Sequence, residues 1–117
     1  MAIQTRLVDY SHGDLTLRGE LAWDDALAAR PAVLVAPTWA GRTEFEGNQA
    51  RALAELGYVG FAIDMYGEGK TGSGVEECSA LMTPVVSDRA LLQARVAAAV
   101  DAVREQPEAL NQPTAAI

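Results

Sequence analysis

Two uninterrupted apolar runs constrain this sequence more than any other feature. Residues 32–36 read AVLVA and residues 58–63 read YVGFAI, and a segment of mixed character, residues 37–57, separates them. A short apolar run without polar alternation is typical of a strand that is buried on both faces. Because a connection of this length joins parallel strands, the sequence predicts a strand, a helix and a second, parallel strand.

The connecting segment carries clear helix signals. Residues 43–46 read TEFE, which is the form of a capping box and predicts that Thr43 begins the helix. Gly57 follows the last apolar position and predicts a left-handed end. The apolar residues expected to face the sheet are Phe45, Ala50, Leu53 and Leu56.

The flanking segments continue the alternation of strands and helices. Apolar residues with a period near two over residues 7–23, interrupted by the turn residues 11–14, predict an antiparallel hairpin with the only histidine, His12, in its turn. We expect a short helix over residues 75–82, broken by Pro84, and a long helix capped by Ser87-Asp88 that runs to about Glu105. Residues 114–117 resemble the start of another strand. The fold class is therefore α/β.

Composition excludes several classes of protein. A length of 117 residues predicts that residues 1–117 make up at most one domain, or a portion of one. A net charge of −7 without lysine or arginine clusters argues against nucleic acid as a partner. No apolar run approaches the ~20 residues of a membrane helix, and no secretory signal is visible. One histidine and one cysteine do not make a closed zinc shell, and we expect no metal and no cofactor. A magnesium site made of carboxylates alone stays open as an alternative, although acidic residues at this density usually form a solvated face. The lone Cys78 is typical of a reducing compartment, and we expect the cytoplasm.

A glycine-rich loop carries two phosphate-binding patterns. Residues 67–72 read GEGKTG, which fits G-x-G-x-x-G and the end of a P-loop. The glycine that a P-loop requires five positions before Gly69 is Asp64, and Glu68 would bring a negative charge to a phosphate. Phosphate or nucleotide binding by the loop from Gly67 to Gly72 is therefore kept as a third hypothesis, against a surface loop without a ligand.

The segment that leaves the first apolar strand is more informative. Residues 36–42 read APTWAGR and connect that strand to the capped helix, so they lie at the carboxyl edge of the sheet. Open α/β sheets bind their ligands at this edge. Trp39 is there either as a pocket wall or as a cover for the end of the sheet, and the residues alone leave both alternatives open.

The order of these segments resembles the dienelactone hydrolase family. The resemblance extends from about Tyr10 onward and is carried by PAVLVAP (31–37), AELGYV (54–59), DMYGEGKTG (64–72) and SDRALL (87–92). This family has the α/β-hydrolase fold, with a nucleophile, an aspartate and a histidine in that chain order and a cysteine in a G-x-C-x-G elbow as the nucleophile. The resemblance implies a partial α/β-hydrolase sheet, an N-terminal antiparallel hairpin followed by parallel β-α-β units, that ends before the nucleophile elbow.

The resemblance also implies roles for particular residues. The backbone N–H of Trp39 would be one donor of the oxyanion hole, and Thr38, Met65 and Tyr66 would lie on the rim of the pocket. Thr38 stands where well-known members have a glutamate that contacts the resting thiol. Those members also use an arginine for the substrate carboxylate, whereas residues 71–88 contain no basic residue.

The leading hypothesis is that the chain is the N-terminal half of an enzyme that hydrolyses an ester or lactone. The resemblance places the Cys-Asp-His triad beyond Ile117, so we expect no catalytic residue within the chain and no activity from the chain alone. An alternative is a non-catalytic association module that pairs with itself or with a complementary C-terminal half through exposed strand edges. The expected partner of the complete enzyme is a small ester or lactone, without nucleic acid or membrane.

Overall fold

The chain begins with a long antiparallel hairpin. In a computed structural model, which describes residues 2–109 and 115–117, strands β1 (Ile3–His12) and β2 (Leu15–Asp24) pair along their whole length. The hairpin is confirmed, but His12 is not in the turn: it is the last residue of β1 and pairs with Leu15. The turn is the two-residue Gly13-Asp14, where Gly13 has a φ of 61° that favours glycine.

The central β-α-β unit follows. Strand β3 (Ala32–Val35), helix α1 (Glu44–Glu55) and strand β4 (Val59–Ala62) succeed one another, and β3 and β4 pair in parallel as predicted. Both parts of the capping box at Thr43 are present. Gly57 has a φ of 95°, so the left-handed end of α1 is also confirmed.

The buried face of α1 differs from the prediction. Phe45 and Leu56 are 58% and 73% exposed, so the expected apolar stripe is wrong at both ends. The buried positions of the helix are small residues and one carboxylate: Glu46, Gly47, Ala50 and Ala54. Small side chains are needed because α1 lies so close to β4 that a Cβ on Gly60 would clash with the Ala50 backbone. Large apolar side chains on this face would hold the helix off the sheet.

Two further helices cover the other side of the sheet. Helix α2 (Gly74–Val86) contains Pro84. The prediction that this proline ends the helix is therefore wrong. Pro84 lies in the last turn, where its fixed φ suits a helix and only one backbone hydrogen bond is lost. Asp88 caps helix α3 (Arg89–Arg104) by accepting from the Leu91 N–H at 3.1 Å, as predicted.

A two-residue strand completes the described sheet. Strand β5 (Ala115–Ala116) pairs in parallel with β3, which confirms a strand in this part of the sequence, while Thr114 lies outside the described residues. The strand order is β1-β2-β4-β3-β5. Strands β3 and β4 are thus neighbours in the middle of the sheet, and their carboxyl ends lie at the same edge.

Successive residues of the central strands point into two separate core clusters. Ala22, Val35 and Ala62 pack with α1, whereas the preceding residues Leu21, Leu34 and Phe61 pack in the cluster that contains residues of α2 and α3. This alternation explains why the two runs are apolar at every position: both faces of β3 and β4 are covered. Among the described residues, no helix is long and apolar enough to cross a membrane.

Candidate active-site cleft

The four residues predicted to form the site lie together at the carboxyl edge of the sheet. Thr38 and Trp39 follow β3, and Met65 and Tyr66 follow β4. All four line one cleft of about 300 Å³. The remaining lining residues come from the end of β3 and from the two helices: Ala36, Pro37, Met82, Val85, Val86, Leu92 and Val96.

The cleft is almost entirely apolar. Its described lining contains no charged side chain, and the only polar side chains in it are Thr38, Trp39 and Tyr66. Burial, more than the nearby Cys78, raises the pKa of Tyr66, so the phenol is protonated at neutral pH and donates a hydrogen bond. A cleft of this chemistry suits an uncharged ligand that is held mainly by apolar contact.

The turn that carries Trp39, residues 38–41, is held at three successive carbonyl groups. Gly41 donates its N–H to the Thr38 carbonyl at 3.0 Å. The Tyr66 hydroxyl donates to the Trp39 carbonyl at 2.8 Å, and the Gly72 N–H donates to the carbonyl of the next residue, Ala40, at 2.9 Å. We call residues 36–43 the Trp39 loop. Its backbone is therefore tied both to itself and to the loop that follows β4.

A buried carboxylate holds the Trp39 loop from the side of α1. Glu46 is fully buried, and its Oε1 accepts from the N–H and hydroxyl of Thr43 at 2.8 and 2.9 Å. Its Oε2 accepts from the Thr38 N–H at 3.3 Å. Glu46 was predicted only as part of the capping box, yet it joins both ends of the Trp39 loop. Nothing in the T-x-x-E pattern indicates the contact to Thr38, since that contact depends on how the loop folds back.

Three backbone N–H groups of the Trp39 loop, those of Trp39, Ala40 and Arg42, have no hydrogen-bond acceptor in the described part of the chain. No hydrogen bond among residues 2–109 and 115–117 has the Trp39 N–H as its donor. Of these three residues only Trp39 lines the cleft, and it is 41% exposed. Most backbone donors in folded proteins are paired with protein or water, so an unpaired N–H in a firmly held loop at a cleft is available to a ligand.

The loop after β4 uses most of its backbone donors to hold the fold together. We call residues 64–74 the glycine loop; it begins with Asp64, which is 1% exposed. The Asp64 carboxylate accepts from four backbone N–H groups, those of Arg18, Tyr66, Gly67 and Gly69, at 2.8 to 3.1 Å. In the sequence, Asp64 breaks the P-loop pattern and begins one of the segments that carry the resemblance, but neither observation predicts its hydrogen bonds. It closes the loop on itself and ties it to β2.

The same loop offers few donors to a phosphate. Besides the two glycine N–H groups on Asp64, the Glu68 N–H donates to Thr16 and the Lys70 N–H to Gly67, at 2.8 and 2.9 Å. The Gly72 N–H is taken by the Trp39 loop. A phosphate site needs such groups to converge on the ligand with a helix behind them. The geometry therefore gives no support to the hypothesis of phosphate binding.

The single cysteine and the single histidine are not placed for catalysis. Cys78 is free and 3% exposed within α2, and His12 lies at the end of β1. Neither residue lines the cleft. Within the described part of the chain, no three His, Cys, Asp or Glu side chains are grouped as metal ligands would be.

Comparisons with known proteins point to one family. The model of the dienelactone hydrolase family matches residues 17–117. The crystal structure of a dienelactone hydrolase-like promiscuous phosphotriesterase, P91 from metagenomic libraries, is 34% identical, with a TM-score of 0.93 over 99% of this chain and 48% of that one. A structure described as m3DLH is 33% identical, with a TM-score of 0.93 over 99% of this chain and 49% of the other.

A more distant structure shares the fold. Dienelactone hydrolase from Anabaena variabilis is 21% identical, with a TM-score of 0.72 over 99% of this chain and 51% of that one. No curated protein matches the sequence. The chain thus spans about half the length of the solved structures that it resembles.

Proposed function

Because this chain belongs to the dienelactone hydrolase family, we propose that it forms the N-terminal part of an enzyme that hydrolyses an ester or lactone bond. The proposed Cys-Asp-His triad lies in residues beyond Ile117. The chain covers only 48% of the related phosphotriesterase, which leaves room for such residues in a longer protein. We propose that residues 1–117 supply one oxyanion donor and one side of the substrate cleft, and that they are inactive alone.

The observation that carries this proposal is the unpaired Trp39 N–H. Hydrolysis of an ester passes through a tetrahedral intermediate whose oxygen bears a negative charge. A fixed N–H that meets this oxygen stabilises the transition state more than the substrate, and this difference accelerates the reaction. In an α/β hydrolase one such donor comes from the loop after the third strand, and the other is the N–H that follows the nucleophile.

The lining of the cleft supports a class of substrate. The described residues bring apolar side chains and no positive charge to it, so a substrate carboxylate would find no partner among them. We therefore propose an uncharged ester or lactone with an apolar acyl or alcohol group. A neutral phosphotriester is a second substrate to test, because it is equally uncharged and one relative, at 34% identity, is described as a promiscuous phosphotriesterase.

A direct test compares the full-length protein with residues 1–117. We expect the full-length protein to hydrolyse p-nitrophenyl butyrate and δ-valerolactone, and the shorter chain to match the buffer blank. Iodoacetamide should inactivate the full-length protein, and a Cys78→Ser variant should be as active and as sensitive to the reagent, because Cys78 is buried and does not line the cleft. A full-length protein that hydrolyses none of these substrates would contradict the proposal.

Association is a second candidate, favoured by the open edges of the sheet. Strand β1 stands at one end of the strand order, and the outer edge of its ten residues has no partner among the described residues. Open strand edges pair readily with other chains. The association hypothesis expects a dimer or a complex in size-exclusion chromatography of residues 1–117, and a stable monomer at high micromolar concentration would count against it.

The state of Cys78 supports a proposal about the cellular compartment in which the protein acts. Cys78 is free and buried, and thiols of this kind persist where glutathione keeps proteins reduced. We propose the cytoplasm as the place of action. Fractionation of the source cells, followed by detection of the protein, tests this; recovery from a secreted fraction would contradict it.

A further inference from the structure

Tyr66 connects the two loops at the edge of the sheet. Its backbone belongs to the glycine loop, where its N–H donates to the buried Asp64 carboxylate at 3.1 Å. The carbonyl of the preceding residue, Met65, accepts from Nη1 of Arg95 in α3 at 2.6 Å. The start of the glycine loop is thus held from two sides. From this anchored backbone, the Tyr66 hydroxyl reaches across to the Trp39 carbonyl at 2.8 Å.

The geometry points to a positioning role for Tyr66, and this inference rests on the proposed function. We infer that the Tyr66 hydroxyl fixes the backbone of Trp39 so that the Trp39 N–H meets the oxyanion. The peptide that contains this N–H is held through its other end, the Thr38 carbonyl, by Gly41. The next peptide is held through the Trp39 carbonyl by Tyr66. Holding both peptides fixes the two backbone torsions of Trp39.

Orientation matters because an oxyanion donor acts only at short range. A donor stabilises the developing charge when it lies within about 2.7 to 3.1 Å of the oxygen, and its effect depends on being fixed before the reaction. A loop that rotates freely would have to become ordered during each turnover. The Gly41 and Gly72 contacts are made by backbone groups, so Tyr66 is the side chain through which substitution can loosen the Trp39 carbonyl.

The first test is Tyr66→Phe in the full-length protein. The phenylalanine ring keeps the lining of the cleft and removes only the hydroxyl. We expect kcat to fall about fivefold to tenfold, the rate equivalent of one neutral hydrogen bond, with KM within twofold of the wild-type value. Tyr58→Phe is the matched control, because Tyr58 is half-exposed and outside the cleft; its kcat should not change.

A transition-state mimic separates positioning from general structure. The nucleophilic thiol adds to the carbonyl carbon of an aldehyde such as butanal: a C–S bond forms while the S–H bond and the π bond of the carbonyl break. The thiol proton moves to the carbonyl oxygen, or to the histidine of the proposed triad, which leaves that oxygen as an oxyanion. The inhibition constant should rise in Tyr66→Phe by the same factor as kcat falls, whereas the binding of butyramide as an unreactive substrate analogue should not change. Equal weakening of both ligands would overturn the inference.

Rescue by a donor at the same position completes the test. Replacement of Tyr66 by 4-aminophenylalanine retains an N–H where the hydroxyl was, and it should restore kcat to within threefold even where Tyr66→Phe folds poorly. Wild-type kcat in Tyr66→Phe, or no rescue by the amine, would overturn the inference and leave the proposed function intact. If the wild-type protein hydrolyses no ester, the proposed function itself fails.

Discussion

The Trp39 loop and the glycine loop lie side by side at one edge of the sheet, but they differ in what their central backbone donors bind. The glycine loop has the sequence pattern of a phosphate site, yet its N–H groups at Gly67 and Gly69 are bound to Asp64. The Trp39 loop has no such pattern, and no described residue accepts the hydrogen bond of the Trp39 N–H at the cleft. A glycine-rich pattern therefore indicates a flexible backbone, and only the hydrogen bonds show whether its donors serve a ligand or the fold.

The largest expected effect is on the glycine loop. Asp64→Ala removes the acceptor of four backbone N–H groups, and we expect the free energy of unfolding to fall by at least about 3 kcal/mol in urea denaturation. Asp101→Ala is the control, since Asp101 is exposed on α3 and should change it by less than about 0.5 kcal/mol. Similar losses in the two variants would show that the Asp64 carboxylate is not the anchor of this loop.

The Trp39 loop should respond in both stability and activity. Glu46→Ala removes the acceptor of the Thr38 N–H and half of the capping box, at an expected cost of about 2 kcal/mol in the free energy of unfolding. Where the variant is still folded, we expect kcat to be at least tenfold lower because the loop is no longer fixed. Glu44→Ala, an exposed residue of the same helical turn, should retain the wild-type kcat. Full activity in Glu46→Ala would contradict a fixed Trp39 loop.

The anchor of the glycine loop should also weaken at alkaline pH. The Tyr10 hydroxyl donates to the Asp64 carbonyl at 3.5 Å, and burial, more than the Asp64 charge, raises the pKa of Tyr10 to about 12. Because the folded state holds the proton more tightly than the unfolded chain, this contribution is complete below about pH 10 and is lost toward pH 12.

The measurement is urea denaturation of the wild type and Tyr10→Phe at pH 9 and pH 11. The wild type should lose about 1 kcal/mol more than the variant between these values, since one pKa unit corresponds to about 1.4 kcal/mol. An equal loss in both proteins would mean that Tyr10 titrates normally.

The smallest effect is expected from nucleotides. A ligand present at fifty times its Kd would stabilise the folded protein by about 2 kcal/mol and raise its Tm by several degrees. Because the N–H groups of residues 67–70 are already bound within the protein, we expect no change of Tm with 5 mM ADP or inorganic phosphate relative to equal ionic strength of sodium chloride. A reproducible rise of Tm with either ligand would show that the glycine loop also has donors for a ligand, and would contradict the difference between the two loops.

The sequence predicts those parts of the fold that depend on local pattern. The central β-α-β unit, the capping box at Thr43, the left-handed Gly57 and the Asp88 cap are all confirmed. The predicted apolar face of α1 is not confirmed. The helix approaches Gly60 so closely that its buried face must consist of small residues, and this close approach is a tertiary contact. The predicted end of α2 is wrong because a proline in the last turn of a helix disrupts few hydrogen bonds, so the helix continues past Pro84.

The candidate site is less accessible to sequence reasoning. The resemblance brought Thr38, Trp39, Met65 and Tyr66 together, and the structure places all four around one cleft. The contacts from Glu46 and Asp64 to the loops were not foreseen, because they join residues whose proximity arises only after folding. The unpaired Trp39 N–H also has no sequence signature, since every residue except proline has an N–H.

The central claim, that the Trp39 N–H serves the oxyanion, has a direct measurement. Replacement of Trp39 by its α-hydroxy acid in the full-length protein exchanges this N–H for an ester oxygen and retains the indole. The same exchange at Gly41 is the control, because it removes the hydrogen bond to the Thr38 carbonyl without touching the Trp39 N–H. We predict that kcat for p-nitrophenyl butyrate falls about 100-fold to 1,000-fold at residue 39 and far less at residue 41; equal kcat values in the two variants would contradict the account.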